Sequence, residues 1–496
     1  KSSTPIERSR RIAVKAGADL QKAINDAKPG DTLVLEAGAT YPGPIKLPRK
    51  DGTGWITVQS SALESGLPPA GTRVSPANAA AMPKITTAGQ NEPALRTVAG
   101  AHHFRFVGIE FAPASAEAKV GDLIRLGEVS GQTSLEQVPH HLVFDRCYIH
   151  ALPGAALKRG IALNSAETEV INSYVADFKA KGQDAQAICG WNGPGPFKII
   201  NNYLEGSGEN VMFGGDWPRI NNLVPSDIEV RGNHFAKPLE WRGVWSVKNL
   251  FEIKNARRVV IDGNLFEYNW KDAQTGIAIL FKSNNAGGKA PWSVCEDVQF
   301  TNNVVRHVGG GISILARDYH NPSEQAKRIT VRNNLFEDVG GEWGGGRFLS
   351  VSGGPDTIVF DHNTIFQTFN LITASGEKPV TNFVWTNNVA PHNKYGIKGQ
   401  STPSGNETLA QFFPGAVFKG NVIAGAKKSL YPADNFYPAT LAEIGLGDRA
   451  SGETSARAKT AAKFKGTDGK EVGCDLQSLA PAFASVRPSE NTQAQK

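Results

Sequence analysis

Three basic side chains end successive apolar segments of the chain, and their spacing indicates a surface that binds anions. Apolar residues at every second position predict β-strands whose alternate side chains share a face. If such strands stack with their ends aligned, the basic residues form one outward column, in which cations repel one another unless anions compensate. The column is therefore predicted to bind a repeating anion, such as a polyuronate or a sulfated glycan. The three residues are Lys254, Lys282 and Arg317.

Acidic residues near this column suggest a reaction. Glu252 lies two residues before Lys254 and shares its face, and Asp216 stands at the foot of the column in the preceding segment. A cation that neutralises a sugar carboxylate acidifies the neighbouring C–H, and an amine can then remove the proton in a β-elimination. We expect Lys254 to be the base, and Lys282 and Arg317 to bind the anion. Glu252 and Asp216 would tune the site or hold a cation. The alternative is a solvated face on which Glu–Lys pairs contribute little.

A second group of carboxylates, amides and tryptophans occurs within two predicted turns, before the column in the sequence. Glycoside hydrolases use paired carboxylates across a groove, and aromatic rings stack on sugar faces. We expect this group to contact the polysaccharide, with hydrolysis as the alternative reaction. Turn chemistry around residues 193–196 is the other interpretation. The residues expected to bind substrate are Asp184, Trp191, Glu209, Asn210 and Trp217, together with Glu252 and Asp216.

An internal repeat predicts the elements that position these residues. A large apolar residue, two polar or small residues, an Asn and an apolar pair recur, as in 261–266, 300–305 and 331–336. From Cys147 onward the copies are 26, 29, 31, 31, 39, 31, 29, 25 and 33 residues apart. The flanking segments alternate with the period of strands, so the repeat predicts an all-β solenoid, a parallel β-helix of about 11 turns. Each Asn is expected to adopt a left-handed backbone at a tight bend and to bond to its equivalents one turn away.

The two ends of the repeat lie outside this pattern. Residues 18–27 place Leu20 and Ile24 on one face of an amphipathic helix, which predicts an N-terminal cap over the first open strand edge. We expect an N-terminal arm over 1–17 and the capped β-helix over 18–424. A C-terminal tail over 425–496 is expected to pack on the helix or its end.

The segment 18–35, followed by turns with paired asparagines, resembles the right-handed parallel β-helix superfamily of pectate lyases and secreted bacterial β-helix repeat proteins. The resemblance covers roughly residues 12–424 and implies a secreted, periplasmic or cell-surface protein that acts on carbohydrate. Segment 252–256 is similar to the strand that carries the Lys base in the chondroitinase-B and alginate-lyase branch. This likeness implies the base role for Lys254 and puts Lys282 where that branch has an Arg.

The same resemblance bears on cofactors. The chondroitinase-B and alginate-lyase branch holds calcium with acidic residues and Asn, and Glu252, Asp216 and Asn210 are the candidates for Ca²⁺ here. No tight acidic cluster of the pectate-lyase kind is evident, and no other cofactor is expected.

Composition and charge argue against nucleic acid and a membrane as partners. The 496 residues carry 53 Lys and Arg against 47 Asp and Glu, a net charge of +6 dispersed along the chain, so nucleic-acid binding is not expected. No apolar run approaches the roughly 18–20 residues that span a bilayer. We expect an anionic polysaccharide as the partner. The non-enzymatic alternative is a surface fibre, adhesin or carbohydrate-binding protein that forms an oligomer or filament.

The sequence gives the cysteines and histidines no catalytic role. Four widely spaced cysteines without a CxxC pair indicate buried thiols, with one bridge between Cys147 and Cys189 as the alternative. The histidine pairs 102–103 and 140–141 stand in polar approaches to strands, and the sequence alone gives them no role.

Overall fold

The computed structural model describes residues 9–89, 91–446 and 464–485, and the chain divides into two compact units. Unit 1 comprises Lys1–Ala180, Ala185–Glu205 and Pro218–Leu223, and unit 2 comprises Lys181–Asp184, Gly206–Trp217 and Val224–Lys496. In each unit parallel strands form three sheets, which we name A, B and C in the order in which the chain visits them. One passage through the three sheets is one coil.

The strands of unit 1 are short, and alternate side chains within most of them are buried. Sheet A contains Arg11–Val14, Thr32–Leu35, Ile56–Ser60, His102–Val107, His140–Asp145, Ala166–Ile171 and Phe197–Ile200. Sheet B contains Thr40–Pro42, Lys84–Thr86, Glu110–Ala112, Tyr148–His150, Tyr174–Phe178 and Tyr203–Gly206. Sheet C contains Ile45–Leu47, Leu95–Thr97, Asp122–Leu126, Arg159–Leu163 and Gln186–Gly190.

Unit 2 repeats the same arrangement in its own coils. Sheet A contains Ser226–Arg231, Ala256–Asp262, Cys295–Thr301, Lys327–Arg332, Asp356–Asp361, Thr381–Thr386 and Val417–Lys419. Sheet B contains His234–Ala236, Leu265–Asn269, Val304–Val308, Leu335–Val339, Thr364–Gln367, Val389–Pro391 and Val422–Ala424. Sheet C contains Glu209–Phe213, Asn249–Ile253, Ile277–Lys282, Gly310–Leu315, Arg347–Ser352, Ile372–Ser375 and Ile397–Gly399.

Helices in the described chain are short, and none is long and apolar enough to cross a membrane. The α-helices are Leu20–Asp26, Asn406–Phe412 and Ala480–Ala484. The 3₁₀ helices are Pro76–Ala81, Leu135–Gln137, Leu239–Trp241, Ala286–Gly288, Gly341–Trp343, Lys428–Leu430 and Ala442–Ile444. In the first α-helix, the Asp19 carboxylate accepts a hydrogen bond from the Lys22 amide at 2.9 Å, and Leu20 and Ile24 are buried. The amphipathic pattern thus gives a helix where it was expected, and its capping role stays a prediction.

Apolar side chains from successive coils stack inside each unit. In sheet C of unit 2, Phe251 pairs with Ile279 and Ile253 pairs with Phe281, and all four side chains are buried. The alternation of apolar residues predicts that these four side chains point into the core. Burying each such side chain stabilises the folded state by about 1.5–3 kcal/mol. Since no coil can bury its own apolar face, the stack of coils produces the core.

A ladder of buried asparagines fixes the turn between sheets A and B. The Asn264 amide donates to Asn303 Oδ1 at 2.9 Å, and the Asn303 amide donates to Asn334 Oδ1 at 2.8 Å. The predicted bonding between coils is therefore present, but the backbone expectation was wrong by one residue. The left-handed residues precede the ladder, as Asn302 does with φ 55° and Asn333 with φ 54°. The ladder side chain must point inward to reach its neighbours, so the residue before it makes the bend.

The described part of the C-terminal segment packs on sheet B of unit 2. Leu479 and Ala482 join a buried cluster with Leu265, Val304 and Leu335. Cys147, Cys189, Cys295 and Cys474 are all free and buried, as the main interpretation of their spacing predicts. Burial raises the pKa of the Cys147 thiol to about 12, so this group is a packing residue and not a nucleophile.

Candidate functional site

Lys254 and Lys282 come together at the end of sheet C in unit 2, as their predicted places in the column require. The strand pairing puts Ile253 beside Phe281, and the two lysines are the next residues of their respective coils. Strands in one sheet lie about 4.8 Å apart, so two ammonium groups are held on neighbouring coils. The side chains of Lys254 and Lys282 are 16% and 25% exposed, which leaves both partly accessible from outside.

The carboxylate of Glu252 lies between these two ammonium groups. Its Oε1 is 3.0 Å from Lys282 Nζ and 3.6 Å from Lys254 Nζ, and the Glu252 side chain is 0% exposed. A carboxylate removed from water in this way needs cationic partners, because its hydration is lost. Two ammonium groups on neighbouring coils therefore meet at one buried carboxylate.

A glycine in the preceding coil lets the backbone pack closely against Lys254. Gly214 has φ +103°, and a Cβ at this position would lie 2.6 Å from Lys254 Cβ. Any larger residue would therefore collide with the lysine and would also be strained in its backbone. The close approach of the two coils at Lys254 therefore requires glycine at this position.

The loop that follows Lys282 is tied to the Lys254 coil and to the next loop along the chain. The Asn284 amide donates to the Lys254 carbonyl at 2.9 Å, and the Asn285 amide donates to Asp318 Oδ2 at 3.1 Å. Asp318 is held in turn, since its amide donates to Ser323 Oγ at 3.0 Å. These bonds fix the backbone around both lysines.

Arg317 does not lie in the column where the sequence alignment put it. The strands pair Ile277 with Gly310 and Lys282 with Leu315, so Leu315 occupies the place beside Lys282. Arg317 stands two residues further on, and its Nη1 donates to the Ser323 carbonyl at 2.7 Å. The alignment was wrong by two residues, a shift that keeps every inward residue inward and is invisible in the alternation.

Asp216 and Asn210 do not lie directly opposite Glu252, because the strand register pairs Met212 with Glu252. Gly214 follows Phe213, which pairs with Ile253, so Asp216 stands two residues beyond the level of Lys254. The half-exposed Asp216 accepts a hydrogen bond from the Trp217 amide at 2.8 Å. Asn210 is buried, and its Oδ1 accepts a hydrogen bond from Lys237 Nζ at 2.9 Å.

These contacts do not fit the expected calcium site. Calcium takes six to eight oxygen ligands. Oε1 of Glu252 faces two ammonium groups that would repel a divalent cation, and the Asn210 side-chain oxygen already accepts a hydrogen bond from Lys237.

The remaining predicted substrate-binding residues lie in different surroundings. Asp184 forms an ion pair with Lys248 in unit 2, and Glu209 is buried at the start of its strand beside Asn249. Trp191, in unit 1, is buried, and the Arg159 guanidinium carbon lies 4.9 Å from its ring centre. Trp217 is half-buried, with Lys289 Nζ 4.8 Å from its ring centre. Of these four, Trp217 is the side chain with an aromatic face near a cation and some exposure.

Comparison with known proteins gives the fold its class. No family profile and no curated protein matches the sequence. The catalytic unit of the thermostable GH87 alpha-1,3-glucanase from Streptomyces thermodiastaticus is similar, with a TM-score of 0.53 and 13% identity over 85% of this chain and 69% of that chain. The PL6 family alginate lyase AlyGC has a TM-score of 0.51 and 14% identity over 85% of this chain and 53% of that chain. The chain therefore spans about half the length of AlyGC.

The chain is a right-handed parallel β-helix. The three parallel sheets and the asparagine ladder agree with this class, and the resemblance noted in the sequence is confirmed at the level of fold.

This β-helix also has a cleft that the sequence did not indicate. It measures ≈ 630 Å³ and lies in unit 2, where the C-terminal segment crosses the turns between sheets A and B. No predicted site residue is among its described lining residues. Those residues are Thr301, Asn302, Arg332, Asn333, His362, Lys470, Glu471, Gly473, Cys474, Asp475 and Ser478.

A group of histidines in unit 1 of the β-helix was given no role by the sequence, and the structure brings its members together. His102, His103, His140 and His141 lie on neighbouring strands of sheet A. The signal was two His-His pairs separated by 38 positions, close to the spacing of one coil. The structure was needed to show that this coil is 38 residues long, so that the two pairs lie on neighbouring strands.

Proposed function

We propose that this β-helix is a lyase that cleaves a uronate-containing polysaccharide by β-elimination at Lys254 and Lys282. The observation that carries the proposal is the sharing of one buried carboxylate, Glu252, by two partly exposed ammonium groups. Two ammonium groups held side by side at the end of one sheet form a cationic surface, and such a surface suits the carboxylate of a uronate.

The two lysines are not equivalent in this geometry. Lys282 Nζ is 3.0 Å from Glu252 Oε1, whereas Lys254 Nζ is 3.6 Å away, so the carboxylate attracts the charge of Lys282 more strongly. We assign Lys282, the lysine closer to Glu252, to the sugar carboxylate. Lys254 is the proposed base.

The proposed step balances without a cofactor. The amine of Lys254 takes the proton from C5 of the uronate, next to the carboxylate that Lys282 neutralises. The electron pair of the C–H bond forms the C4=C5 double bond, and the C4–O glycosidic bond breaks. The departing oxygen takes a proton from water, and Lys254 returns its proton to solvent. Glu252 keeps the two ammonium groups in position before substrate arrives.

The similarity of fold to an alginate lyase makes alginate the first candidate substrate. Alginate, the substrate named for AlyGC, is a polymer of uronates and therefore presents one carboxylate per sugar. A substrate of this kind is found outside the cytoplasm, so the proposal also implies a secreted or surface protein. Trp217, beside Lys289, is the proposed stacking residue for a sugar ring next to the reacting one.

The decisive assay compares two signals on the same incubation. The full chain is incubated with alginate, pectate and glycosaminoglycans while absorbance near 235 nm and reducing ends are followed. A lyase produces both signals, because the new double bond is conjugated with the carboxylate. Reducing ends without absorbance would show hydrolysis instead, and neither signal on any substrate would favour a binding or fibre-forming protein.

Variants then test the site. Lys254→Met and Lys282→Met should each lower the rate at least about 100-fold, because base and anion-binding groups are lost. Lys198→Met is the matched control, since Lys198 forms a Lys–Glu pair with Glu169 at 2.8 Å on sheet A of unit 1. Full activity of Lys254→Met in a folded protein would show that the base lies elsewhere.

A further inference from the structure

Four imidazole rings form a compact square on the outside of sheet A in unit 1. The rings of His102 and His140 stack at 4.9 Å between centres, and those of His103 and His141 stack at 4.3 Å. Within each coil the two rings meet edge to face, with His102 Nδ1 2.8 Å from His103 Nδ1 and His140 Nδ1 2.6 Å from His141 Nδ1. Ring nitrogens, the atoms that bind metal ions, therefore point toward one another.

The square exists because the backbone twists at the second residue of each strand. His103 has φ 60° and His141 has φ 54°, and the strand pairing places His140 beside His102. In the left-handed conformation both residues of a His-His pair reach the same face, which an extended strand would not allow.

The left-handed position near the start of the sheet A strands also occurs in unit 2, where its side chains form contacts between coils. Asp227, Arg258, Asp297 and Arg328 occupy it in successive coils with φ between 52° and 59°, and they form ion pairs from coil to coil. The position is thus a ladder of side chains that bond between coils. In unit 1 its members are His103, His141 and Glu167.

We propose that His103, His140 and His141 bind one divalent transition-metal ion, such as Zn²⁺. Each ring offers a nitrogen, and these three atoms all lie within 4.8 Å of one another. Tetrahedral zinc at a Zn–N distance of about 2.0–2.1 Å needs nitrogens roughly 3.3 Å apart, so small ring rotations are enough. Imidazole is the usual ligand for zinc, copper and nickel ions in proteins.

The surroundings suit a metal ligand set in three ways. The His141 Nε2 lies 2.6 Å from Glu167 Oε2, the carboxylate–histidine contact that orients a ligand ring and strengthens its bond to a metal. His103 is only 8% exposed, and the centre of the Trp55 ring lies 5.3 Å from the centre of its ring. His140 and His141 are partly exposed, which gives an ion a path from solvent.

The protonation of the ligands agrees with this geometry. Burial, followed by the neighbouring histidines, lowers the pKa of His103 to about 4, and the same causes lower the pKa of His140. The lowered pKa of His103 keeps its ring neutral near pH 7, as a metal ligand must be.

The test is a metal titration of the full chain without a histidine tag, after chelator treatment. Cobalt(II) should bind once per chain and give the intense visible bands of tetrahedral coordination, and Zn²⁺ should displace it. Calorimetry with Zn²⁺ should give the same stoichiometry. Absence of saturable binding to the folded chain would overturn the proposal.

Asparagine variants remove ligands without disturbing the twisted backbone. Asn382 holds φ 52° at the equivalent position in unit 2, so His103→Asn and His141→Asn should fold normally. Each should lower Zn²⁺ affinity about 100-fold or more, whereas His320→Asn, at an exposed histidine in unit 2, should leave it unchanged. Equal affinity of the site variants and the wild type would mean that zinc binds elsewhere.

A further variant tests the site without changing any of the three histidines, in case the asparagine variants do not fold. Glu167→Gln keeps all three rings and removes the charge beside His141, so it should lower Zn²⁺ affinity about 10-fold. Unchanged affinity of Glu167→Gln would remove Glu167 from the site, and circular dichroism reports whether each variant is folded.

Discussion

Lys282 Nζ lies 3.0 Å from Oε1 of Glu252, a fully buried carboxylate in the preceding coil, and Lys254 approaches the same oxygen from its own coil at 3.6 Å. The contact joins residues 30 positions apart in the chain, so it depends on the stacking of coils and not on local structure. It brings two ammonium groups together at one carboxylate.

Removal of the shared carboxylate should damage both stability and activity. Glu252→Gln leaves two ammonium groups on neighbouring coils without their common counterion, and we expect unfolding to become easier by about 3 kcal/mol. Denaturant unfolding followed by circular dichroism measures this loss. The double variant Glu252→Gln/Lys282→Met removes the repulsion and should recover part of the stability. If the double variant were less stable than Glu252→Gln, repulsion between the lysines would not be the cause.

Lys282 and Arg317 should differ in importance because only Lys282 contacts Glu252. In the lyase assay, Lys282→Met should abolish most of the rate, whereas Arg317→Met should change it by less than about threefold. The reason is the pairing of Leu315 with Lys282, which leaves Arg317 two residues beyond the lysine column. An equally large loss in Arg317→Met would indicate that its guanidinium reaches the substrate across the loop.

The asparagine ladder should be costly to interrupt. Asn334 Nδ2 donates to the Phe300 carbonyl at 2.9 Å, and Asn334 Oδ1 accepts from the Asn303 amide at 2.8 Å. Asn334→Ala leaves these buried groups without partners and should destabilise the protein by about 3–5 kcal/mol. Asn25→Ala, at an exposed position of the first helix, should stay within about 0.5 kcal/mol of the wild type. Thermal unfolding of the two variants side by side makes the comparison.

Stability should fall in acid partly through one buried carboxylate. Burial would raise the pKa of Glu267, but His234 and Arg306, each with a nitrogen 2.7 Å from a carboxylate oxygen, lower it to about 2. A lowered pKa in the folded state contributes stability above the unfolded value of about 4.3, and this stability is lost as pH falls from there toward 2.

Glu267→Gln should therefore show a flatter fall of stability between about pH 4.3 and pH 2 than the wild type, measured by denaturant unfolding at each pH. Glu377→Gln, at an exposed loop residue, is the control and should follow the wild-type curve. Parallel curves for wild type and Glu267→Gln would contradict the assignment of this pH dependence to Glu267.

The sequence alone determined the coils of this protein and the contents of their interior. An Asn after each sheet A strand from Phe197–Ile200 onward and a period-two alternation of apolar residues specify stacked parallel strands, because no coil can bury its own apolar face. The same alternation placed Phe251 and Ile253 inside and Glu252 and Lys254 outside.

Only the tertiary structure decided which side chains of neighbouring coils meet. A shift of two residues preserves the inward and outward faces, so the alternation could not tell whether Leu315 or Arg317 lies beside Lys282. The alternation could not predict the histidine square for a related reason. His103 and His141 share a face with His102 and His140 because their backbone is left-handed, and a period-two pattern does not reveal a left-handed residue. Loop lengths and local twist set these contacts, and both depend on the packing of the whole stack.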